Sequence, residues 1–174
     1  MKAKTRVAFT LMLASVFMLA GWKAGNKEAI VSNTVACDSI PEMNKQIVAY
    51  VKTKIGKKVD RGECWDLANQ ALKLVNATWD GKYVYGTKVN PQTDCIYPGD
   101  IIQFEGVKVK KEVKGGQAIE KMGHHTAIIY EVKGKGVYVL AHQNTSFSGK
   151  KVGTSELDLK NIVKGRYMIY RPTK

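Results

Sequence analysis

The chain has 174 residues and a mass of 19.3 kDa, which suits one domain and is too short for two domains with separate cores. Its 44% hydrophobic content and 4 prolines exclude a disordered or collagen-like chain. The 28 basic residues against 15 acidic ones give a net charge of +13, which favours binding to a polyanion without identifying it.

The first 24 residues have the pattern of a secretory signal. A basic start with Lys2, Lys4 and Arg6 precedes an apolar run over 7–21, and small residues place the cleavage site between 20 and 24. The run is shorter than the roughly 20 apolar residues of a spanning helix. We therefore expect a signal peptide at 1–24, a leader at 25–38 and one domain at 39–174. The protein is expected to be secreted or periplasmic, without stable membrane insertion after cleavage.

Two amphipathic helices are predicted at the start of the domain. The first begins at the capping-box pattern of Ser39 and Glu42 and ends at Gly56. The second begins at Cys64, behind a cap formed by Asp60 with Glu63 or by Gly62, so Cys64 lies in its first turn on the buried side. The apolar stripes that define the two helices are Met43, Ile47, Val51 and Ile55, then Cys64, Leu67, Ala68, Ala71, Leu72 and Val75.

Beyond residue 80 the hydrophobic period changes to that of strands. A strand at 101–104 is followed by a charged, Gly-containing stretch at 105–123, which we interpret as a mobile loop. Runs at 126–132 and 137–142 form a hairpin with a turn at 133–136, and the last strand is 166–171. Two helices followed by an antiparallel sheet predict an α+β fold.

The histidines of the hairpin are candidates for acid–base chemistry with Cys64. His125 opens one strand and His142 ends its partner, so antiparallel pairing makes them cross-strand neighbours. His124 and His125 face opposite ways, and only one of them can point at the helix. A helix N-terminus and a nearby imidazole both favour the thiolate form. The pattern predicts a nucleophilic Cys64, a histidine base and a second histidine that orients the base.

Two other interpretations use the same residues. A cysteine in the first turn of a helix is often a small core residue. A zinc site of Cys64, His125 and His142 lacks any CxxC or HxxxH spacing. We therefore predict no metal and no cofactor.

Four motifs, in this order along the chain, resemble those of the CHAP and NlpC-type cysteine peptidases and amidases. They are GECWDLA at 62–68, PGDIIQF at 98–104, GHHTAII at 123–129 and HQN at 142–144. The resemblance implies a papain-like, NlpC-type core with N-terminal helices packed on an antiparallel sheet. It also implies that Cys64 is the nucleophile and that His125, which directly precedes the small-apolar strand, is the base.

In that superfamily the third polar residue comes from the next strand, where this chain has His142. NlpC-type members often carry histidine there, whereas CHAP members tend to carry glutamate and an asparagine two residues on, which Asn144 matches as a supporting residue. The resemblance implies hydrolysis of an amide or peptide bond in peptidoglycan, or in another amide-bearing wall polymer, through an acyl-cysteine. Nucleic acid is not an expected partner. A wall-binding module without turnover, and an acyltransferase or deamidase with another substrate, stay open as alternatives.

The odd number of cysteines completes the prediction. If Cys64 must stay free as the nucleophile, Cys37 and Cys95 are the candidate disulfide in an oxidising compartment, and the bond ties the N-terminal segment to the domain. The lysine-rich stretch at 105–123 leads directly to His125. We expect it to border the substrate groove and to add positive potential there.

Overall fold

The computed structural model describes residue 37 and residues 39–174. The predicted signal peptide at 1–24 and the leader at 25–38 lie, apart from Cys37, outside the described residues. None of the helices in the described part of the chain is long and apolar enough to cross a membrane. The described elements are α1 Glu42–Lys54, α2 Cys64–Leu74, β1 Thr87–Val89, β2 Ile101–Val113, β3 Gly116–Gly134, β4 Val137–His142, β5 Gly153–Asp158, a 3-10 turn at Leu159–Asn161 and β6 Ile162–Arg171.

The six strands form one antiparallel sheet in the order β1-β6-β2-β3-β4-β5. Together with the two helices, this confirms the α+β class. The predicted hairpin is present as the end of β3 with β4. Strands β1 and β5 lie at the two edges of the sheet, and the hydrophobic pattern predicts neither of them. Strand β1 has only three residues, and β5 is mostly polar, with one fully buried side chain, Leu157.

The prediction of a mobile loop at 105–123 is wrong. These residues extend β2 and begin β3, which pair continuously as far as Val113 and Gly116, so the connection is a tight turn. Alternation explains the strands, since Val107, Val109 and Met122 are buried while the lysines between them point outward. Gly106, with φ of +62°, allows the bulge where β2 shifts register against β6.

The sheet carries a hydrophobic core on each face. On one face the helices pack through Ile47, Val51, Leu67, Ala71 and Leu72 against Ile101, Ile128, Ala141 and Tyr170. The other face buries a second cluster, drawn from all six strands. The members of this second cluster are Val89, Ile102, Phe104, Val107, Val109, Met122, Ala127, Ile129, Tyr138, Leu140, Leu157 and Ile169.

Helix α1 is held by a buried polar network and not by the expected cap. Its N-cap is Pro41 without a side-chain hydrogen bond, so the capping box predicted from Ser39 and Glu42 does not form. Instead, buried Asn44 donates to the Asp100 carboxylate over 2.8 Å, and Arg171 contacts the same carboxylate at 3.0 Å. This network joins α1 to the start of β2 and the end of β6.

A disulfide joins Cys37 to Cys95, the pair expected from the cysteine count, with the Cα atoms 5.6 Å apart. Among the described residues Cys64 is the free cysteine. The bond ties the chain ahead of α1 to the segment before β2.

Loss of this disulfide should lower stability substantially. The bond spans a sequence separation of 58 residues, for which the chain-entropy model gives about 4 kcal/mol. Urea unfolding of Cys37→Ser, or of the reduced wild type, should show this loss, whereas Cys64→Ser under oxidising conditions should stay within about 1 kcal/mol of wild type. An unchanged unfolding midpoint on reduction would contradict the prediction.

Candidate active site

The first turn of α2 is built to present Cys64. The N-cap is Glu63, and Asp66 completes a reciprocal capping box, with the Glu63 N–H donating to the Asp66 carboxylate over 2.9 Å. The predicted caps at Asp60 and Gly62 are therefore wrong by one to three residues. The box uses the Asp66 N–H, and the N–H groups of Cys64 and Trp65 face the thiol.

The thiol lies against the backbone of β3. Its Sγ is 3.9 Å from the carbonyl oxygen of His124, and the N–H of Thr126 also faces it. These two groups belong to the peptide units on either side of His125. The pairing of β3 with β4 begins only at Ile128 and Ala141, so the start of α2 occupies the strand edge next to that ladder.

His125 and His142 form a buried pair. Nε2 of His125 lies 2.9 Å from Nδ1 of His142, and Nε2 of His142 lies 2.9 Å from the Ser155 hydroxyl on β5. His125 is 7% exposed and His142 is 1% exposed. The structure therefore brings together the two histidines that the hairpin geometry predicted as neighbours.

Contrary to the prediction from the sequence, the His125 side chain does not point at the helix; it lies on the opposite face of the sheet. Side chains alternate along β3, so His125 shares a face with Ala127 in the second core, and its ring stacks on Phe104 with centroids 6.4 Å apart. His124 is the residue on the helix side. The thiol contacts the backbone next to His125, at the edge of the strand.

His124 has surroundings of its own. Its ring is exposed, donates from Nδ1 to the Glu105 carboxylate over 2.8 Å, and meets the edge of Tyr83 at a centroid distance of 3.9 Å. Its side chain does not contact the buried histidine pair, which makes His124 a matched control residue for His125.

Burial keeps the thiol and the imidazoles neutral at rest. Burial raises the pKa of Cys64, and the N–H groups of Thr126, Trp65 and Cys64 offset this only in part. Burial also lowers the pKa of His125 to about 4 and lowers that of His142. The low-pKa thiolate expected from the helix N-terminus is therefore not the resting form. Among the described residues no hydrogen bond joins the thiol to the His125 ring, and such contacts often tighten only when substrate binds.

Two residues that follow His142 hold the helix start in place. Asn144, the predicted supporting residue, donates to the Glu63 carboxylate over 2.9 Å and does not reach the histidine pair. Buried Gln143, which sequence reasoning missed, accepts from the Val59 N–H at 3.1 Å and donates to the Glu63 carbonyl at 2.8 Å. The HQN motif thus joins the end of β4 to the loop that presents Cys64.

A groove of about 550 Å³ opens over His125 on the second face of the sheet. One wall comes from the β2–β3 arm and the other from the loop after β4, which includes the exposed ring of Phe147. The groove reaches Asn144, which is bonded to the residue before Cys64. Its lining is Lys111, Ala118, Ile119, Glu120, Lys121, Met122, His125, Asn144, Thr145, Ser146 and Phe147.

The described residues contain no group of three or more His, Cys, Asp or Glu arranged to hold a metal. The ring nitrogens of His125 and His142 that face each other are joined by a hydrogen bond, so one proton lies between them. Sequence reasoning also missed Ser155, since β5 lacks a strong strand pattern and only tertiary pairing brings it to His142.

The buried histidines predict a specific loss of stability in acid. The folded pKa values of His125 and His142 lie below the ordinary 6.5, so the unfolded chain binds more protons. The contribution of each histidine to the free energy of unfolding is complete above about pH 6.5 and is lost as the pH falls to its folded pKa, about 4 for His125 and about 3 for His142. Urea unfolding between pH 7.5 and 5 should show a loss of about 1–2 kcal/mol per histidine.

The measured quantity is the change in unfolding free energy with pH, compared between variants. The double variant His125→Asn, His142→Asn should flatten this pH dependence, and His124→Asn is measured beside it as the variant that removes an imidazole outside the buried pair. Equal pH dependence in the double variant and wild type would show that the pair titrates normally.

Comparison with known proteins places this arrangement in a family. Residues 40–174 match the family described as the AIM3/BBC1 cysteine proteinase-fold domain. A curated relative, altered inheritance of mitochondria protein 3 of Debaryomyces hansenii, is 27% identical over 168 residues, and the match covers 84% of this chain and 17% of the relative. This chain therefore spans less than a fifth of the length of that relative.

Two crystal structures of Ly7917, one with the hydrolyzing product of MDP, are similar in part. Their TM-scores are 0.47 and 0.43 at 14% and 16% identity, and the superposition covers 74% of this chain and 62% and 63% of those chains. The family match extends over both helices, all six strands and every residue of the site. The chain belongs to the AIM3/BBC1 cysteine proteinase-fold domain family and has a papain-like cysteine proteinase fold.

Proposed function

We propose that this protein is a cysteine hydrolase of amide or peptide bonds, with Cys64 as nucleophile, His125 as base and His142 as the residue that orients the base. The observation that carries the proposal is the placement of the Cys64 thiol against both peptide units of His125, whose ring is bonded to His142 at 2.9 Å. A nucleophile, a base next to it and a group that orients the base are the components of a site that catalyses acyl transfer.

The first step starts from a neutral thiol and a neutral imidazole. Sγ of Cys64 attacks the substrate carbonyl carbon while Nδ1 of His125 takes the thiol proton. Nδ1 is the nitrogen available for this role, because Nε2 faces His142. Proton transfer in the transition state makes up for the raised pKa of the resting thiol.

The tetrahedral intermediate then collapses. The N–H groups in the first turn of α2, at Cys64 and Trp65, face the sulfur and are placed to hold the oxyanion. The amine leaves with the proton from His125, and an acyl-cysteine remains. A water molecule, deprotonated by His125, hydrolyses the thioester and restores the thiol.

The groove over His125 supports an extended substrate. Ile119 and Phe147 line its opposite walls and are each about half exposed, at 50% and 51%, so an apolar side chain of a peptide would bury them. The expectation of positive potential weakens here, since Lys111 is paired with Glu120 inside the groove. The motif resemblance to CHAP and NlpC-type enzymes supports peptidoglycan peptides as the first substrates to test, with export through the predicted signal peptide.

A binding module without turnover is the alternative, and one observation favours it. The resting thiol is half-buried, its pKa is raised, and it is not hydrogen-bonded to the His125 ring in the described structure. Variants at the site separate the two functions, since a binding module does not need the thiol.

Substitution of the site should abolish hydrolysis. Cys64→Ala and His125→Ala each remove a group that takes part in bond making, so turnover should fall by at least about 10³-fold. His142→Ala should leave a small residual activity. The assay is digestion of purified peptidoglycan, and in parallel of a peptide library, with mass analysis of the fragments.

His124→Ala is the matched control for that series. It removes the neighbouring imidazole, whose bond to Glu105 lies outside the proposed machinery, and should retain most of the activity. Full activity in His125→Ala together with loss of activity in His124→Ala would show that the base is His124 and not His125. Full activity in Cys64→Ala would refute the proposed nucleophile.

The pH dependence should reflect the buried groups. Because His125 acts as a neutral base, kcat/KM should rise as the pH increases through about 4 and stay level across neutral pH. The alkaline limit of kcat/KM should lie above pH 9.0, the ordinary pKa of a cysteine thiol, because burial raises the pKa of Cys64. Initial rates are measured with tryptophan fluorescence at each pH as a check on folding. An acid limb at the ordinary imidazole value of 6.5 would contradict a buried neutral base.

A further inference from the structure

Strand β5 adds a third polar group to the histidine pair. His142 lies opposite Gly153 in the β4–β5 ladder, and Ser155 is two residues further along β5, so both point to the same face of the sheet. The Ser155 hydroxyl lies 2.9 Å from Nε2 of His142. Three adjacent strands therefore contribute one member each to a chain of hydrogen bonds, His125, His142 and Ser155.

The surroundings of His142 leave Nε2 directed at Ser155. The Phe147 ring packs on the imidazole at a centroid distance of 5.4 Å. That packing requires glycine at position 153, because a Cβ there would lie 2.7 Å from the Phe147 ring. The His142 ring is thus enclosed between His125, Phe147 and Ser155, and its two nitrogens face two different partners.

The direction of this chain is decided by the reaction. When His125 has taken the thiol proton, both of its nitrogens carry hydrogen, so its Nε2–H must donate to Nδ1 of His142. A neutral His142 then carries its own proton on Nε2 and donates it to Ser155. With the opposite tautomer, His142 would donate to His125, and the Nδ1 of His125 would already hold a proton and have no lone pair for the thiol.

We propose that Ser155 is a positioning residue that selects the Nε2–H form of His142 and so leaves Nδ1 of His125 free to accept the thiol proton. The role rests on the proposed hydrolase function, and Ser155 acts through the two histidines without touching substrate. In many triads an aspartate or asparagine orients the base; here His142 has that place, and a serine on a third strand orients His142 in turn.

The test combines ring-nitrogen NMR of the full chain with kinetics on a hydrolysed substrate. In wild type, ¹⁵N spectra should show both His125 and His142 as Nε2–H tautomers at pH 7. Ser155→Ala should shift His142 toward a mixture of tautomers and lower kcat by roughly 3- to 10-fold with KM unchanged, as expected for the loss of one hydrogen bond between neutral groups.

Two further variants separate positioning from a general effect on β5. Ser155→Thr keeps the hydroxyl and should restore both the tautomer and kcat. Thr154→Ala is the matched control, since Thr154 is exposed on the opposite face of the same strand, and it should match wild type. Melting temperatures of all variants are measured alongside.

Wild-type tautomers and wild-type kcat in Ser155→Ala would overturn the proposal. An Nδ1–H form of His142 in wild type would overturn it as well, whatever the kinetics. If wild type hydrolyses nothing in the substrate panel, the proposed hydrolase function fails. The tautomers would in that case still decide whether Ser155 accepts from His142.

Discussion

The amide side chain of Gln143 holds the site together. It is fully buried and bonds both the N–H and the carbonyl of Val59 and the carbonyl of Glu63, so it fixes the loop that leads into α2. Because Gln143 directly follows His142, the same turn of chain positions one histidine and the N-terminus of the helix that carries Cys64. A buried amide with all these partners is costly to break, which keeps the thiol at the edge of β3.

Burial then determines the chemistry available at that edge. His125 and His142 lie beside the second core, where the His125 ring stacks on Phe104 and contacts the His142 ring. Charged imidazoles are disfavoured there, and the thiol is likewise kept protonated. In the proposed mechanism the site starts from neutral groups, and the direction of the hydrogen bonds through His142 and Ser155 defines which nitrogen of His125 is the base.

Much of the fold follows from local pattern. The amphipathic stripes predict both helices, and the second prediction places Cys64 at the correct end of α2. The hairpin predicts that His125 and His142 meet, since the turn length brings those strand ends together. The stretch at 105–123 shows the limit of the method, because lysines on the outer face of a long strand pair have the composition of a loop.

The sequence alone determined properties of neighbouring residues: where the helices begin, which strands form a hairpin, and which cysteine stays free once the other two pair. Tertiary structure alone decided that His125 faces the second core, that Gln143 clamps the start of α2, and that Ser155 reaches His142. These contacts join segments far apart in the chain, and their partners depend on strand order. No local period carries that information, because hydrophobic alternation predicts that a strand exists but not which strand lies beside it.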